Sequence, residues 1–155
     1  MSFRITGLDP APFAHLYGLP DAELARLGVK RVTATHKPGF PDRIEIRDAE
    51  PGETLLLLNH THQPADTPYR ASHAIFVREG AAKAYCAIDE IPEPLRLRPI
   101  SLRAFNADGE MIDADLAEGD GLEGVVRRLL DERDVAYIHA HYAKPGCYAA
   151  RIERA

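Results

Sequence analysis

Cysteine is scarce in this chain: Cys86 and Cys147 are the only two among 155 residues. A disulfide framework of the kind that staples small secreted domains is therefore not indicated, although a single bridge could be drawn. Long apolar runs are missing too. The longest aliphatic stretch, Leu55 to Leu58, falls far short of the ~20 residues a membrane-spanning helix needs. Met1 to Thr6 lacks the apolar core of a secretory signal, so a cytoplasmic address with no membrane partner is expected. There is no dense run of Lys or Arg, and 24 acidic against 19 basic residues give a formal net charge of -5. Arg96, Arg98 and Arg103, like Arg127, Arg128 and Arg133, are interleaved with apolar or acidic neighbours. Nucleic-acid binding, which needs a basic face to neutralise phosphates, is accordingly not expected. Internal repeats, low-complexity tracts and an interdomain linker are also absent.

What is present suits one globular domain spanning residues 1–155, with 45% hydrophobic and 28% charged residues. Twelve prolines and eleven glycines punctuate the chain at short intervals, as short strands joined by turns require. Strands are expected at Phe3 to Gly7, Val29 to Thr35, Arg43 to Arg47, Glu53 to Asn59, His73 to Arg78 and Ala82 to Ile88. A short helical turn is expected at Pro12 to Tyr17 and a brief helix at Asp21 to Leu27. A polar loop would cover His60 to Ser72, and the three prolines of Ile91 to Pro99 argue for an extended connection. Ser101 to Asn106 and Glu110 to Leu116 flank Ala107-Asp108-Gly109, a hairpin signal.

Leu122, Val125, Val126, Leu129 and Leu130 recur at helical spacing and line up one apolar stripe, predicting the main helix near 120–132. Asp120 with Glu123 forms a capping-box pattern there. Two closing strands, Val135 to Tyr142 and Gly146 to Glu153, complete an α+β pattern with a largely antiparallel sheet. Closure of that sheet into a barrel is left open by the sequence.

Seven histidines occur, four of them in His-x-His pairs: His60 with His62 and His139 with His141. On a strand, side chains at i and i+2 leave the same face about 7 Å apart at Cα, near enough to share zinc, iron or manganese. The competing explanation is chance pairing of hydrogen-bonded or solvated histidines. No acid directly follows the first pair to make a two-His-one-carboxylate set, so Asp66 or a distant acid would have to be brought in by the fold. The Gly-x5-His-x-His spacing of metal-binding cupin barrels fails, because seven residues separate Gly52 from His60.

A second constellation, Tyr69, Arg70, Ser72 and His73, lies where binding residues often sit, on a polar loop. A guanidinium fork, hydroxyls and an imidazole together suit an anion; against this, Pro68 would simply fix a turn while Tyr69 packs. Cys147, with histidines on the adjoining strand, has the ingredients of a Cys–His nucleophile. Most strand cysteines, however, are small buried hydrophobes. No nucleophile elbow, phosphate-binding glycine loop or paired-cysteine zinc motif is found.

Several motifs occur in a specific order. Pro51-Gly52-Glu53 precedes Leu55 to Leu58, and Pro68-Tyr69-Arg70 leads to Ile75-Phe76-Val77. Leu102-Arg103-Ala104-Phe105 with Asp108-Gly109, the capped helix, Val135-Ala136-Tyr137, Gly146-Cys147-Tyr148 and Arg154 follow. From about Phe40 onward the chain resembles the bacterial family named domain of unknown function 1203. The resemblance implies a shared fold and recurring Tyr69, Arg70, Arg103 and Cys147, but no activity. The family pattern has a Cys-Arg pair where this chain has Asp42-Arg43, which weakens any site built on several cysteines.

Three functional expectations stand. One is a domain binding a small molecule or anion through Tyr69, Arg70, Ser72, His73, Arg103 and Cys147. Another is a metal-dependent enzyme using His60, His62, His139 and His141. The third is a structural or protein-interaction module, which would show a broad apolar patch. Whether the two His-x-His pairs converge decides the metal reading. The sequence specifies neither the ligand nor the oligomeric state.

Overall fold

In the computed structural model, which describes residues 1–155, nine strands build two antiparallel sheets. The strands are β1 (Phe3–Thr6), β2 (Lys30–Thr33), β3 (Thr54–Gln63), β4 (Ala71–Arg78), β5 (Cys86–Ile88), β6 (Ile100–Phe105), β7 (Met111–Ala117), β8 (Tyr137–Tyr142) and β9 (Tyr148–Arg154). The larger sheet runs β5-β1-β9-β8-β6-β7 and the smaller β2-β3-β4. Both sheets keep free edges, so no barrel closes. The helices are α1 (Asp21–Arg26), α2 (Glu93–Arg96) and α3 (Gly121–Asp131), with a 3₁₀ turn at Ala14–Leu16. This is the expected α+β fold with one main helix. No helix is long and apolar enough to cross a membrane.

Strand periodicity explains how the larger sheet uses its two faces. Along β8, Ile138, Ala140 and Tyr142 enter the main core with Leu102 and Ala104 of β6, Ile152 of β9 and Phe3 and Ile5 of β1. Leu122, Val126, Leu129 and Leu130 of α3 cover this face and are all essentially inaccessible. Each such side chain contributes about 1.5–3 kcal/mol by leaving water. The alternate residues of β8, Tyr137, His139 and His141, leave by the opposite face. A second core forms around the smaller sheet from Leu56, Leu58, Ile75 and Val77, with Phe13, Leu16, Leu24, Val29 and Ile44.

Several local expectations need correction. Arg43 to Arg47 is not a strand: Arg43 and Ile44 are buried in succession, and Ile46 takes φ 46°, outside extended geometry. Isolated bridges at Pro41–Asp48 and Asp42–Phe76 replace a ladder. The buried Asp42 carboxylate also accepts from the backbone N–H of Glu45 (2.6 Å) and Arg78 (2.7 Å). The strand expected from Ala82 shrinks to β5, because the Tyr85 N–H is taken by the carbonyl of the irregular Ile44. Ile91 to Pro99 holds the short helix α2, whose Pro94 is tolerated in a first turn that needs no N–H there. Asp120 already has helical dihedrals, and its side chain makes no capping bond. Most consequentially, β3 runs on through His60 to Gln63, so the first His-x-His pair lies on a strand and not in a loop.

Candidate functional site

Extension of β3 carries the alternation of Leu56 and Leu58 on to His60 and His62. Antiparallel pairing sets His73 of β4 opposite His60. These side chains meet the histidine-bearing face of β8, and Tyr148 of β9, paired with His141, closes the group. The two His-x-His pairs therefore meet through His62, His139 and His141 and leave His60 outside, so the geometric condition the metal reading required is met in part.

Three histidines form the close set. His62, His73 and His141 each offer a ring nitrogen, all lying within 4.8 Å of one another. His62 Nε2 and His73 Nδ1 are 2.8 Å apart, one donating to the other, and their rings stack with centroids 4.9 Å apart. Tyr148 stacks on His62 at 5.2 Å, and His141 meets the His62 ring nearly perpendicularly at 4.9 Å. His139 stands behind them, 5.7 Å from His62 between centroids and in contact with the rings of Phe105 and Tyr137. His60 is displaced: its neighbours are Phe13 and Tyr148, and it is not one of the three.

The protonation of this group follows from its surroundings. The Gly146 carbonyl lies 2.9 Å from His141 Nδ1 and can only accept, so Nδ1 carries the proton and Nε2 presents a lone pair. That Nε2, His62 Nδ1 and His139 Nδ1 are buried without any hydrogen-bond partner. Buried polar atoms are seldom left unpaired, and three in one seam call for an occupant such as water or an ion. Burial pushes the imidazolium forms out of the folded protein. His62 is lowered to about 4, with His73 and His60 adding to the effect. His139 and His141 are lowered to about 3, again chiefly by burial. His60 and His73 shift the same way.

Arg103 of β6, opposite His139, is a cation whose charge acts on His62, His73 and His141. Its only side-chain bond is to Ser101 Oγ at 3.2 Å, so this half-buried guanidinium has no carboxylate partner. His62 and His139 also line a hollow of about 330 Å³ with Gln63, Tyr137 and Arg151. Gln63 Nε2 donates to Tyr137 Oη at 2.8 Å, tying the two sheets together beside it.

The remaining expected site residues are dispersed. Tyr69 and Arg70 are exposed, Arg70 donates to the Pro64 carbonyl at 2.6 Å, and Ser72 faces water on β4. Only His73 of that loop-proximal group reaches the cluster. The sulfur of Cys147 accepts from Arg43 Nη2 at 2.9 Å and has no histidine as hydrogen-bond partner. Cys147 and Arg43 instead line a larger cavity of about 730 Å³, with His73 also in its wall. Arg43, Tyr148 and Tyr142 were not singled out from sequence. Tyr148 could have been found from the register of the closing hairpin, whereas nothing local marks Arg43 as buried.

No curated protein and no solved structure matches this chain. Residues 39–154, which hold every histidine of the cluster with Arg103 and Cys147, match the family model described as protein of unknown function (DUF1203), and the chain belongs to that family.

Proposed function

We propose that His62, His73 and His141 hold a divalent transition metal, and that the protein is a metal-dependent enzyme acting at this centre. The observation that carries this reading is the convergence of three uncharged imidazoles in a buried seam where ring nitrogens lack partners. A tetrahedral ion with metal–nitrogen bonds of about 2.0–2.1 Å needs its nitrogens about 3.3 Å apart. One pair of nitrogens here stands at 2.8 Å and all three lie within 4.8 Å, a range that includes that spacing. The bond from His141 Nδ1 to a carbonyl is the orienting contact that metal-binding histidines usually make. An all-imidazole set favours zinc, copper, iron or nickel over manganese, which prefers oxygen donors.

Three protein ligands leave a fourth position, as in catalytic zinc sites. No acidic residue is among the charges acting on the cluster, whereas Arg103 is, so that position suits an anion or hydroxide better than a neutral group. Activation of water, or polarisation of a substrate oxyanion next to Arg103, is the chemistry proposed. The test is elemental analysis of tag-free protein beside a His62→Ala, His141→Ala double variant. Near-stoichiometric metal that the variant loses is the expected result. Metal absent from both samples, even after incubation with zinc, copper, iron and nickel salts, overturns the proposal.

A further inference from the structure

The 730 Å³ cavity on the other side of His73 has a lining that the metal reading leaves unused. Its charged residues are Arg43, Arg98 and Lys144, and no carboxylate faces it. Arg98 is neutralised by Asp48, whose oxygens accept from its Nη atoms at 2.6 and 3.0 Å. Arg43 is not neutralised. It is 2% exposed, and its guanidinium donates to two backbone carbonyls, of Tyr148 and Pro41, and to the Cys147 sulfur. Those three bonds use three of the five N–H groups that a guanidinium carries. A buried cation without a counter-charge is costly, and a bound anion would relieve that cost.

Tyr142 lines the same cavity and is 2% exposed, yet its hydroxyl has no hydrogen-bond partner. Its ring lies against both guanidinium groups, with Arg43 Cζ 4.9 Å and Arg98 Cζ 5.2 Å from the centroid. Burial pushes this phenol up to about 12, so at neutral pH it is a donor in want of an acceptor. Lys144, in the turn between β8 and β9, forms no ion pair. The rest of the wall is mainly apolar. The volume falls within the range of about 300–1,000 Å³ typical of small-molecule pockets.

We propose that this cavity binds a small amphiphilic carboxylic acid, its carboxylate received by Arg43, Tyr142 and Lys144 and its apolar body lying against Leu57, Ile75 and Phe76. The site does not require a metal, although His73 puts the bound acid beside the histidine cluster.

The experiment is calorimetric titration of the full chain at pH 7 with octanoate, 1-octanol, octylamine and octyl phosphate. It is repeated on the His62→Ala, His141→Ala variant. Octanoate should bind at least about tenfold more tightly than the alcohol or the amine, the margin that charge-assisted hydrogen bonds confer. Tyr142→Phe and Lys144→Gln should each weaken octanoate while leaving octanol unchanged, and binding should persist in the double histidine variant. Equal affinity for octanol and octanoate, or no binding of any probe, overturns the proposal. A preference for octyl phosphate overturns the carboxylate assignment. Loss of octanoate binding in a double variant whose circular dichroism matches the parent would refute a site separate from the histidine cluster, and if the double variant does not fold, Tyr142→Phe and Lys144→Gln decide the matter.

Discussion

The buried imidazoles make the metal-free protein sensitive to mild acid, and the effect has a calculable size. In an unfolded chain a histidine takes up its proton near pH 6.5, whereas His62 resists down to about 4 and His139 and His141 to about 3. Between those limits the unfolded state binds more protons than the folded one, so stability falls as pH falls. From pH 7 to pH 5 each of the three forfeits up to about 1.9 kcal/mol, or up to roughly 5.5 kcal/mol together. That equals the whole stability of a marginal domain, which runs from about 5 to 15 kcal/mol.

The assay is urea denaturation of chelator-treated protein, followed by far-ultraviolet circular dichroism at pH 7, 6 and 5. The salt-bridged carboxylates interfere little in this window, and Asp42, raised by burial, acts in the opposite sense to the histidines. Glu53 and Glu79 are held at about 2 by Arg47 and Arg31, so their contribution is lost only as pH falls below the ordinary carboxylate range. His139→Phe, which keeps an aromatic ring between Phe105 and Tyr137, should recover about a third of the loss. A stability that changes by less than about 1 kcal/mol between pH 7 and 5, or a slope unaffected by His139→Phe, would refute the argument.

Two further outcomes are expected. Leu129→Ala removes a fully buried side chain from the helix–sheet core and should cost about 2–5 kcal/mol in urea titration, while the metal content of the folded fraction stays that of the parent. Glu79 is held ionised chiefly by its bond to Arg31, so Glu79→Gln should be less stable than the parent at pH 7. That difference should shrink as pH falls from the ordinary glutamate value towards 2; a gap that stays constant would mean the carboxylate charge is not what matters.

Much of the fold could be read from residue patterns because those patterns match local geometry. The stripe from Leu122 to Leu130 predicts α3, and Ala107-Asp108-Gly109 predicts the β6–β7 hairpin, both as found. Alternation in β8 places His139 and His141 on one face, and the structure agrees. The failures share a physical cause. Arg43 to Arg47 alternates like a strand, yet Arg43 is held by carbonyls more than a hundred residues away or just beside it, and local sequence carries no trace of that. Polarity made His60 to Gln63 look like a loop, because a strand facing a polar seam lacks the apolar alternation that normally reveals it. Convergence of His62 with His141 depends on how two sheets pack, which no spacing rule contains. His73 joins the cluster through its pairing opposite His60, while its expected companions Tyr69, Arg70 and Ser72 stay in water.

The three histidines are shared between the two sheets: two come from one hairpin of the smaller sheet and the third from a strand near the end of the chain. Neither sheet alone owns a complete site. During synthesis the β3–β4 hairpin emerges long before β8, so the early steps of folding would offer the proposed ion only two of its three ligands. On the proposed reading an ion would be held by all three histidines only after the late strands have docked, and would have to be released before the sheets could part. The centre would thus work as a latch on a finished structure, slowing its opening without hastening its assembly.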